Sequence, residues 1–173
     1  MKYLFLGLLL SISLISTAQD FKGMPTGDEK ISSSNESFEQ ELLILVNKER
    51  AKRRRNPLVL NQSLTNAARY HAMDMAVDSY FDHESKDQRK NGSHKKVCSV
   101  FERMDRFVKE GVFAKSENIA VGEQSPEEVM QAWMLSKGHR VNILDKDTKY
   151  IGLAYIHVEG SKWGGHWVQC FGL

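Results

Sequence analysis

The sequence predicts an α+β fold in which helices cover a small antiparallel sheet. Two observations lead to this class. Apolar residues recur with helical spacing through residues 38–79 and again in residues 125–137, whereas the alternation typical of strands comes late, in residues 150–158 and 166–171. Helices that precede and interrupt a late set of short strands are typical of α+β domains.

The first 18 residues have the pattern of a secretory signal peptide. Lys2 supplies the positive start, residues 3–15 form an apolar core, and residues 16–18 are small, so we expect cleavage after Ala18 and export to the extracellular space or the periplasm. An uncleaved anchor is the alternative, but the apolar core is shorter than the roughly 20 residues that span a bilayer. No other segment is long and apolar enough to span.

The rest of the chain predicts one domain behind a linker. Residues 19–37 are polar and predict a flexible leader, and residues 38–173 are expected to form the folded domain. Charge is nearly balanced, with 24 Lys and Arg against 22 Asp and Glu. Composition therefore gives no drive toward nucleic acid, which we do not expect as a partner, and we expect a monomer.

The chain contains two cysteines, Cys98 and Cys170. An exported protein with an even cysteine count can form a disulfide, and a bridge between residues so far apart would constrain the unfolded chain. Two buried free thiols are the alternative, because the sequence does not fix the distance between them.

Two helices are predicted in the first half. One spans residues 38–54, with Ser37 as its cap and Gln40 in the third position of a capping box, and the other spans residues 62–79. His71 falls on the apolar stripe of the second helix. We expect a core histidine with a satisfied hydrogen bond, with a cavity-wall position as the alternative.

The first predicted helix ends in a run of cations, Lys52-Arg53-Arg54-Arg55. Positive charge at a helix C-terminus complements the helix dipole, so a solvated helix end explains the run. Contact with an anionic surface is the alternative.

Short elements separated by polar turns are predicted for much of the second half. They are a polar loop at 87–96, a helix at 99–110, and strands at 113–119, 150–158 and 166–171, with a Gly-rich turn at 161–165. His94 is expected to be solvated in its loop. His157 and His166 are expected to form a surface pair across the Gly-rich turn.

Residues 125–144 predict a helix that presents a histidine. Ser125 and Pro126 suit the cap and the first helical position, and Glu128 completes a capping box. Gly138 follows the periodic run, where a left-handed residue would end the helix. His139 is therefore expected to emerge from the turn and to point into a cleft.

Three segments contain histidine or glutamate in a distinctive order: YFDHES at 80–85, SENIA at 116–120 and GHRVNIL at 138–144. With FERM at 101–104 and the closing WVQCFG at 167–172, this order resembles the CAP superfamily of cysteine-rich secretory proteins, antigens and pathogenesis-related proteins. The likeness is to its short bacterial secreted branch and covers roughly residue 38 to the end.

The resemblance implies a three-layer α-β-α sandwich with two histidines over the sheet. It also implies that His83, Glu117 and His139 come together, as candidate catalytic and ligand-binding residues. Two imidazoles and a carboxylate suit acid/base chemistry or a divalent cation such as zinc, with His83 and His139 as the metal ligands. Animal and plant members have a second glutamate where this chain has Ser136. A serine supplies no second carboxylate charge, but it could bind a ligand or a water molecule.

Three classes of function fit this pattern. The first is an extracellular binding module whose His/Glu cleft takes a small apolar molecule, a lipid, a glycan or a peptide beside a cation. The second is a metal-assisted hydrolase acting on protein or envelope polymer, and the third is a scaffold for another protein. A serine hydrolase or a zinc protease is not expected, because the chain contains neither a Gly-x-Ser-x-Gly elbow nor an HExxH motif.

Overall fold

The computed structural model describes residues 21–109 and 111–173 of the chain. The predicted signal peptide lies outside these residues. Within them, no helix is long and apolar enough to cross a membrane. The helices are α1 (Glu36–Lys52), α2 (Gln62–Val77), α3 (Val100–Phe107), α4 (Pro126–Leu135) and α5 (Lys137–Leu144). The strands are β1 (Val59–Leu60), β2 (Ser85–Gln88), β3 (His94–Cys98), β4 (Ala114–Val121), β5 (Tyr150–His157) and β6 (Gly165–Gly172).

A four-stranded sheet of order β1-β5-β6-β4 forms the middle of the molecule. β6 pairs antiparallel with both β5 and β4, while β1 pairs parallel with β5, so the sheet is mixed rather than wholly antiparallel. β4 lies at one edge. Gly152 on β5 allows α2 to approach closely, because a Cβ there would lie 2.0 Å from the backbone of Leu64.

Helices cover both faces of this sheet. α2 and α3 bury one set of side chains against Ile119, Ala154 and Val168, and α1, α4 and α5 bury the other against Leu153 and Trp167. Alternation along each strand sends successive side chains to opposite faces, which is why one strand serves both cores. The expected α+β fold and its three-layer α-β-α sandwich are confirmed.

The first helix begins earlier than predicted. The Asn35 side chain accepts hydrogen bonds from the backbone N–H groups of Ser37 and Phe38, so Asn35 is the cap and Ser37 lies inside the helix. Asparagine caps helices as well as serine does, and two candidates two residues apart are not separated by the pattern alone.

The prediction of a flexible leader is wrong for the described part of residues 19–37. Phe21 and Ile31 are buried in the core under α2, and the Phe21 ring lies 5.4 Å from that of Tyr70. The Lys22 ammonium lies 2.9 Å from the Asp78 carboxylate. Two apolar anchors and an ion pair are enough to dock a segment whose composition is otherwise polar.

The predicted polar loop at 87–96 is instead part of a hairpin. β2 and β3 pair antiparallel, with Lys86 opposite Lys96 and Gln88 opposite His94. These strands are exposed and charged, so they lack the apolar alternation that identifies a strand. His94 is exposed, but its Nε2 donates to the Asp78 carbonyl over 2.7 Å.

The expected surface pair of His157 and His166 does not form. His166 is fully buried on β6, whereas His157 is exposed, and the register places His166 opposite Ile156. The two side chains therefore differ in environment, and His166 belongs to the core.

Cys98 and Cys170 are buried free thiols, so the disulfide alternative is not the form in this structure. Cys98 ends β3 opposite Ser85, and Cys170 lies on β6 opposite Glu117. The Arg103 guanidinium bonds to the strand partner of each cysteine. It donates to the Ser85 hydroxyl over 3.2 Å and to the Glu117 carboxylate over 2.6 Å, and so it lies between Ser85 and Glu117. Burial raises the pKa of both thiols.

Candidate functional site

The edge strand β4 contributes to both sides of the candidate site. Glu117 points toward α2 and α3, and Asn118 points toward α5, because neighbouring strand residues face opposite ways. Side chains from the helical layers bond to the outer edge of the strand: Trp133 Nε1 donates to the Ile119 carbonyl over 3.3 Å, and Asn142 Nδ2 donates to the Glu117 carbonyl over 3.3 Å.

Glu117 is a buried carboxylate with both oxygens engaged. Its Oε1 accepts from His83 Nδ1 over 3.0 Å, and its Oε2 accepts from Arg103 Nη2 over 2.6 Å. Burial by itself would raise the pKa of Glu117, but the charge of Arg103 and the nearby His71 and His83 outweigh it and hold the pKa at about 2. Glu117 is therefore a fixed negative charge at neutral pH.

Arg103 links that carboxylate to the backbone of the histidine. Its Nη1 donates to the His83 carbonyl over 2.9 Å, while its Nη2 donates to Glu117. The guanidinium is fully buried, so both bonds are shielded from water. Arg103 thus positions both the main chain of His83 and the Glu117 carboxylate that bonds to the His83 ring.

His83 is the exposed member of this group. Its side chain is 48% exposed, and the hydrogen bond to Glu117 raises its pKa. Because Nδ1 carries the proton donated to Glu117, the neutral ring has its free lone pair on Nε2. A histidine held in this way can ligate a metal or accept a proton through Nε2.

His71 bonds to the backbone of the segment that contains His83. The prediction of a core histidine is confirmed: it is fully buried, and its Nε2 donates to the Asp82 carbonyl over 2.9 Å. Burial, followed by the charge of Arg103, lowers the pKa of His71 to about 3, so the ring is neutral. It therefore restrains the residue before His83 without adding a charge.

His139 lies on a helix, not in a turn, which corrects the prediction from Gly138. α4 ends at Leu135, and the extended backbone of Ser136 serves both as the end of α4 and as the cap of α5. Gly138 is the second residue of α5 and is not left-handed. The chain changes direction at Ser136 without needing glycine, so α4 ends earlier than the pattern indicated and a second helix begins at once.

The position of His139 lowers its pKa. Burial is the main cause, and the charge of His83 is the second. The first turn of a helix also disfavours a positive charge. The His139 ring packs edge-on against Trp133, with 6.5 Å between ring centres.

A network of buried amides fixes the backbone of α5. Asn118 Nδ2 donates to the His139 carbonyl over 3.2 Å and to Gln169 over 3.0 Å, and Asn142 Nδ2 donates to Asn118 Oδ1 over 2.9 Å. The sequence motifs contain Asn118 and Arg103, but the patterns assigned neither of them a role. Neither residue stands out in the sequence, because Glu102 and Asp105 lie close to Arg103 and Glu117 precedes Asn118.

Ser136 lies one turn before His139, and its hydroxyl makes no cap hydrogen bond. No hydrogen bond connects it to His83 or Glu117 among the described residues. The structure thus joins His83 to Glu117 directly, whereas the side chains of His139 and Ser136 make no hydrogen bond to either of them among the described residues.

Two imidazoles are the candidate metal ligands of this site, and their donor chemistry suits a divalent cation. Nε2 of His83 and the ring of His139 offer imidazole nitrogens, but Glu117 is already bonded through both oxygens. Across residues 21–109 and 111–173, no group of three or more His, Cys, Asp or Glu side chains is arranged to hold a metal ion. A cation here would keep several coordination positions for water or ligand.

Comparison with known proteins identifies the family. Residues 43–171 match the family model described as CAP, the cysteine-rich secretory protein family. The chain is a CAP-family protein. Uncharacterized protein YkwD of Bacillus subtilis (strain 168) is 38% identical over 133 residues, which are 76% of this chain and 47% of that relative. The chain thus spans about half the length of this curated relative.

Solved structures of related proteins have the same fold. An extracellular protein containing an SCP domain from Bacillus anthracis str. Ames aligns with a TM-score of 0.62 at 23% identity, covering 79% of this chain and 40% of that one. An outer surface protein from Borrelia burgdorferi aligns with a TM-score of 0.66 at 18% identity, covering 83% of this chain and 98% of that one. At these identities the likeness concerns the fold alone.

Proposed function

We propose that this chain is an exported binding protein whose His83 and His139 hold a divalent cation such as zinc, which helps to bind an extracellular ligand. The observation that supports this most is the hydrogen bond from His83 Nδ1 to the buried Glu117. Histidines that ligate metals almost always donate their other ring nitrogen to a carboxylate, a carbonyl or water, which fixes the tautomer and strengthens the ligand.

Glu117 acts in this proposal as the orienting carboxylate and not as a ligand, because Arg103 and His83 occupy its oxygens. The lowered pKa of His139 supports the same assignment, since a neutral imidazole ligates and a protonated one does not. With two protein ligands, the site should bind zinc more weakly than a closed structural zinc site does.

An apolar part of the ligand would find its place between α1 and α4. A groove of about 460 Å³ there has Leu45, Met130 and Met134 among its lining residues. Native mass spectrometry with added palmitate should show a one-to-one complex that Met134→Glu removes. A spectrum without a complex would limit the ligand to polar glycans or peptides.

Calorimetry with zinc at pH 7.5 tests the metal site. Wild type should show one site that weakens as pH falls through the histidine range, and His83→Ala and His139→Ala should each lose it while retaining wild-type circular dichroism. His157→Ala is the matched control, because His157 is exposed elsewhere on β5. An isotherm unchanged in both site variants would refute the metal site and favour the scaffold class.

A metal-assisted hydrolase is the second candidate, and the His83–Glu117 pair favours it as well. A histidine held by a buried carboxylate can act as a general base through its free nitrogen. Zinc-dependent turnover of peptide or envelope-polymer substrates, lost in His139→Ala but not in His157→Ala, would select the hydrolase. Zinc binding without turnover would select the binding protein.

A further inference from the structure

A cationic corner lies away from the histidine site, where the end of α1 meets the loop after α5. It consists of six exposed basic residues: Lys52, Arg53, Arg54, Arg55, Lys146 and Lys149. Lys146 and Lys149 line a groove of about 640 Å³ beside Asn56, together with Asp147 and Thr148, and the four cations at the end of α1 precede Asn56 in the chain. The groove is concave, and its lining mixes these polar residues with Pro57, Val59 and Tyr150.

A buried arginine holds the two sides of this corner together. Arg50 donates to the Asn56 carbonyl over 2.7 Å on one side, and to the carbonyls of Ile143 and Asp145 over 2.7 and 2.9 Å on the other. No carboxylate among the described residues bonds to its guanidinium. The corner is therefore pre-organised, and a fixed positive charge lies beneath it.

The helix dipole explains only part of the run of cations at the end of α1. Arg50 and Lys52 lie in the last turn of α1, where cations are favourable, and Glu49 pairs with Lys52 and Arg53. Arg54 and Arg55 lie beyond the helix. Their side chains make no hydrogen bond or ion pair with any residue in the described part of the chain.

Arg54 also occupies a strained backbone position. Its φ is +54°, in the left-handed region that glycine adopts most easily after a helix. A large cation at a position that favours glycine has a conformational cost, and no side-chain hydrogen bond or ion pair within residues 21–109 and 111–173 compensates for it. Strain of this kind is a reason to look for a functional contact.

We propose that the cationic corner binds a linear phosphodiester polyanion, a polymer of the poly(glycerol phosphate) type. Arginines at the end of α1 and lysines in the groove that follows can neutralise successive phosphates along a chain. The concave shape favours a linear chain over the flat surface of a bilayer. Asp147 is the exposed acid of the corner, since Asp145 pairs with Lys115 over 2.7 Å.

The test measures binding of soluble poly(glycerol phosphate) to the exported protein across a salt series. The double variant Arg54→Gly/Arg55→Ser should weaken binding about tenfold or more and flatten the dependence of log K on log salt, because fewer counterions are released. Lys90→Ser/Lys95→Ser is the matched control: it removes the same charge from the exposed β2–β3 hairpin and should leave binding within about twofold.

Arg54→Gly alone separates binding from folding. It should raise the melting temperature, because glycine accepts the left-handed backbone, and at the same time weaken the polymer complex. Wild type that does not bind the polymer, or a double variant that binds as tightly as wild type, would overturn the proposal. Binding to phosphatidylglycerol vesicles but not to the soluble polymer would overturn it in favour of a membrane surface.

Discussion

The two histidines beside β4 are held in different ways. The His83 ring is fixed by charge: a buried glutamate holds its Nδ1, and a buried arginine holds both that glutamate and the His83 carbonyl. The His139 ring packs against Trp133, and the hydrogen bond given to this residue by Asn118 reaches its backbone. One imidazole is therefore oriented, whereas the other is positioned only through its helix.

This difference has an electrostatic consequence. The hydrogen bond to Glu117 raises the pKa of His83, and burial lowers the pKa of His139, so the two rings differ in their preference for a proton. A site with one oriented and one more adaptable histidine suits a cation whose remaining positions go to ligand or water. The α2/α3 side orients its ring through charge, and the α5 side holds its ring through packing and through backbone hydrogen bonds.

The largest loss of stability should come from replacing Arg103, which lies on the α2/α3 side of the sheet. Arg103→Met leaves Glu117 buried without its counter-charge, so we expect a loss of about 3–5 kcal/mol in the free energy of unfolding. Urea denaturation measures it. Arg106→Met is the control, because Arg106 is exposed on the same helix and should change stability by less than about 0.5 kcal/mol.

A double variant shows whether the loss comes from the unpaired charge. Arg103→Met/Glu117→Leu removes both partners of the ion pair and should recover much of the stability, since apolar replacements of buried pairs are often tolerated. A double variant as unstable as the single one would mean that Arg103 acts through packing.

A smaller loss of stability is expected from replacing Asn118, which faces α5. Asn118→Ala removes the bonds to the His139 carbonyl and to Gln169, and should cost about 1–3 kcal/mol because buried groups lose partners. The pKa of His83 should not move, because Asn118 faces the other side of the strand. A shift in the titration of His83 comparable to that of His139 would contradict the separation of the two sides.

The two rings should show opposite pH dependences. His83 has a raised folded-state pKa, so its contribution to stability is complete below about pH 6.5 and is lost as pH rises through that pKa. His139 has a lowered folded-state pKa, so its contribution to stability is present above about pH 6.5 and is lost as pH falls through the pKa of the folded state. NMR titration should place His83 above the usual histidine value and His139 below it. The same direction of shift in both would refute this comparison.

Sequence patterns predicted the α+β class, because helical periodicity and strand alternation are local properties, whereas the sandwich and the grouping of His83, Glu117 and His139 were implied by the resemblance to the CAP superfamily. They did not predict the docked leader, since Phe21 and Ile31 lie in a polar segment and are buried by residues far along the chain. Nor did they predict that α5 begins at Lys137, because Ser136 turns the chain without glycine.

The hydrogen bonds that connect the site were not predictable from the sequence. Arg103 and Asn118 lie within the motifs, but their partners lie on other elements, and only the folded strand order brings them together. From the sequence, Glu117 is expected to serve mainly by orienting or charging the histidine site and not by holding the core. Its ion pair with the fully buried Arg103 makes it part of the core as well, so Glu117→Gln should both weaken zinc binding, by about 10–100-fold, and lower stability.

The measurement that tests the central claim most directly is the tautomer of His83, from ¹⁵N NMR of the imidazole nitrogens at a pH above its titration. We predict a protonated Nδ1 and a bare Nε2 in wild type, with that preference weakened in Glu117→Gln and unchanged in Asn118→Ala. A wild-type ring protonated on Nε2 would contradict this prediction, because Glu117 would then not be holding His83 for ligand or metal.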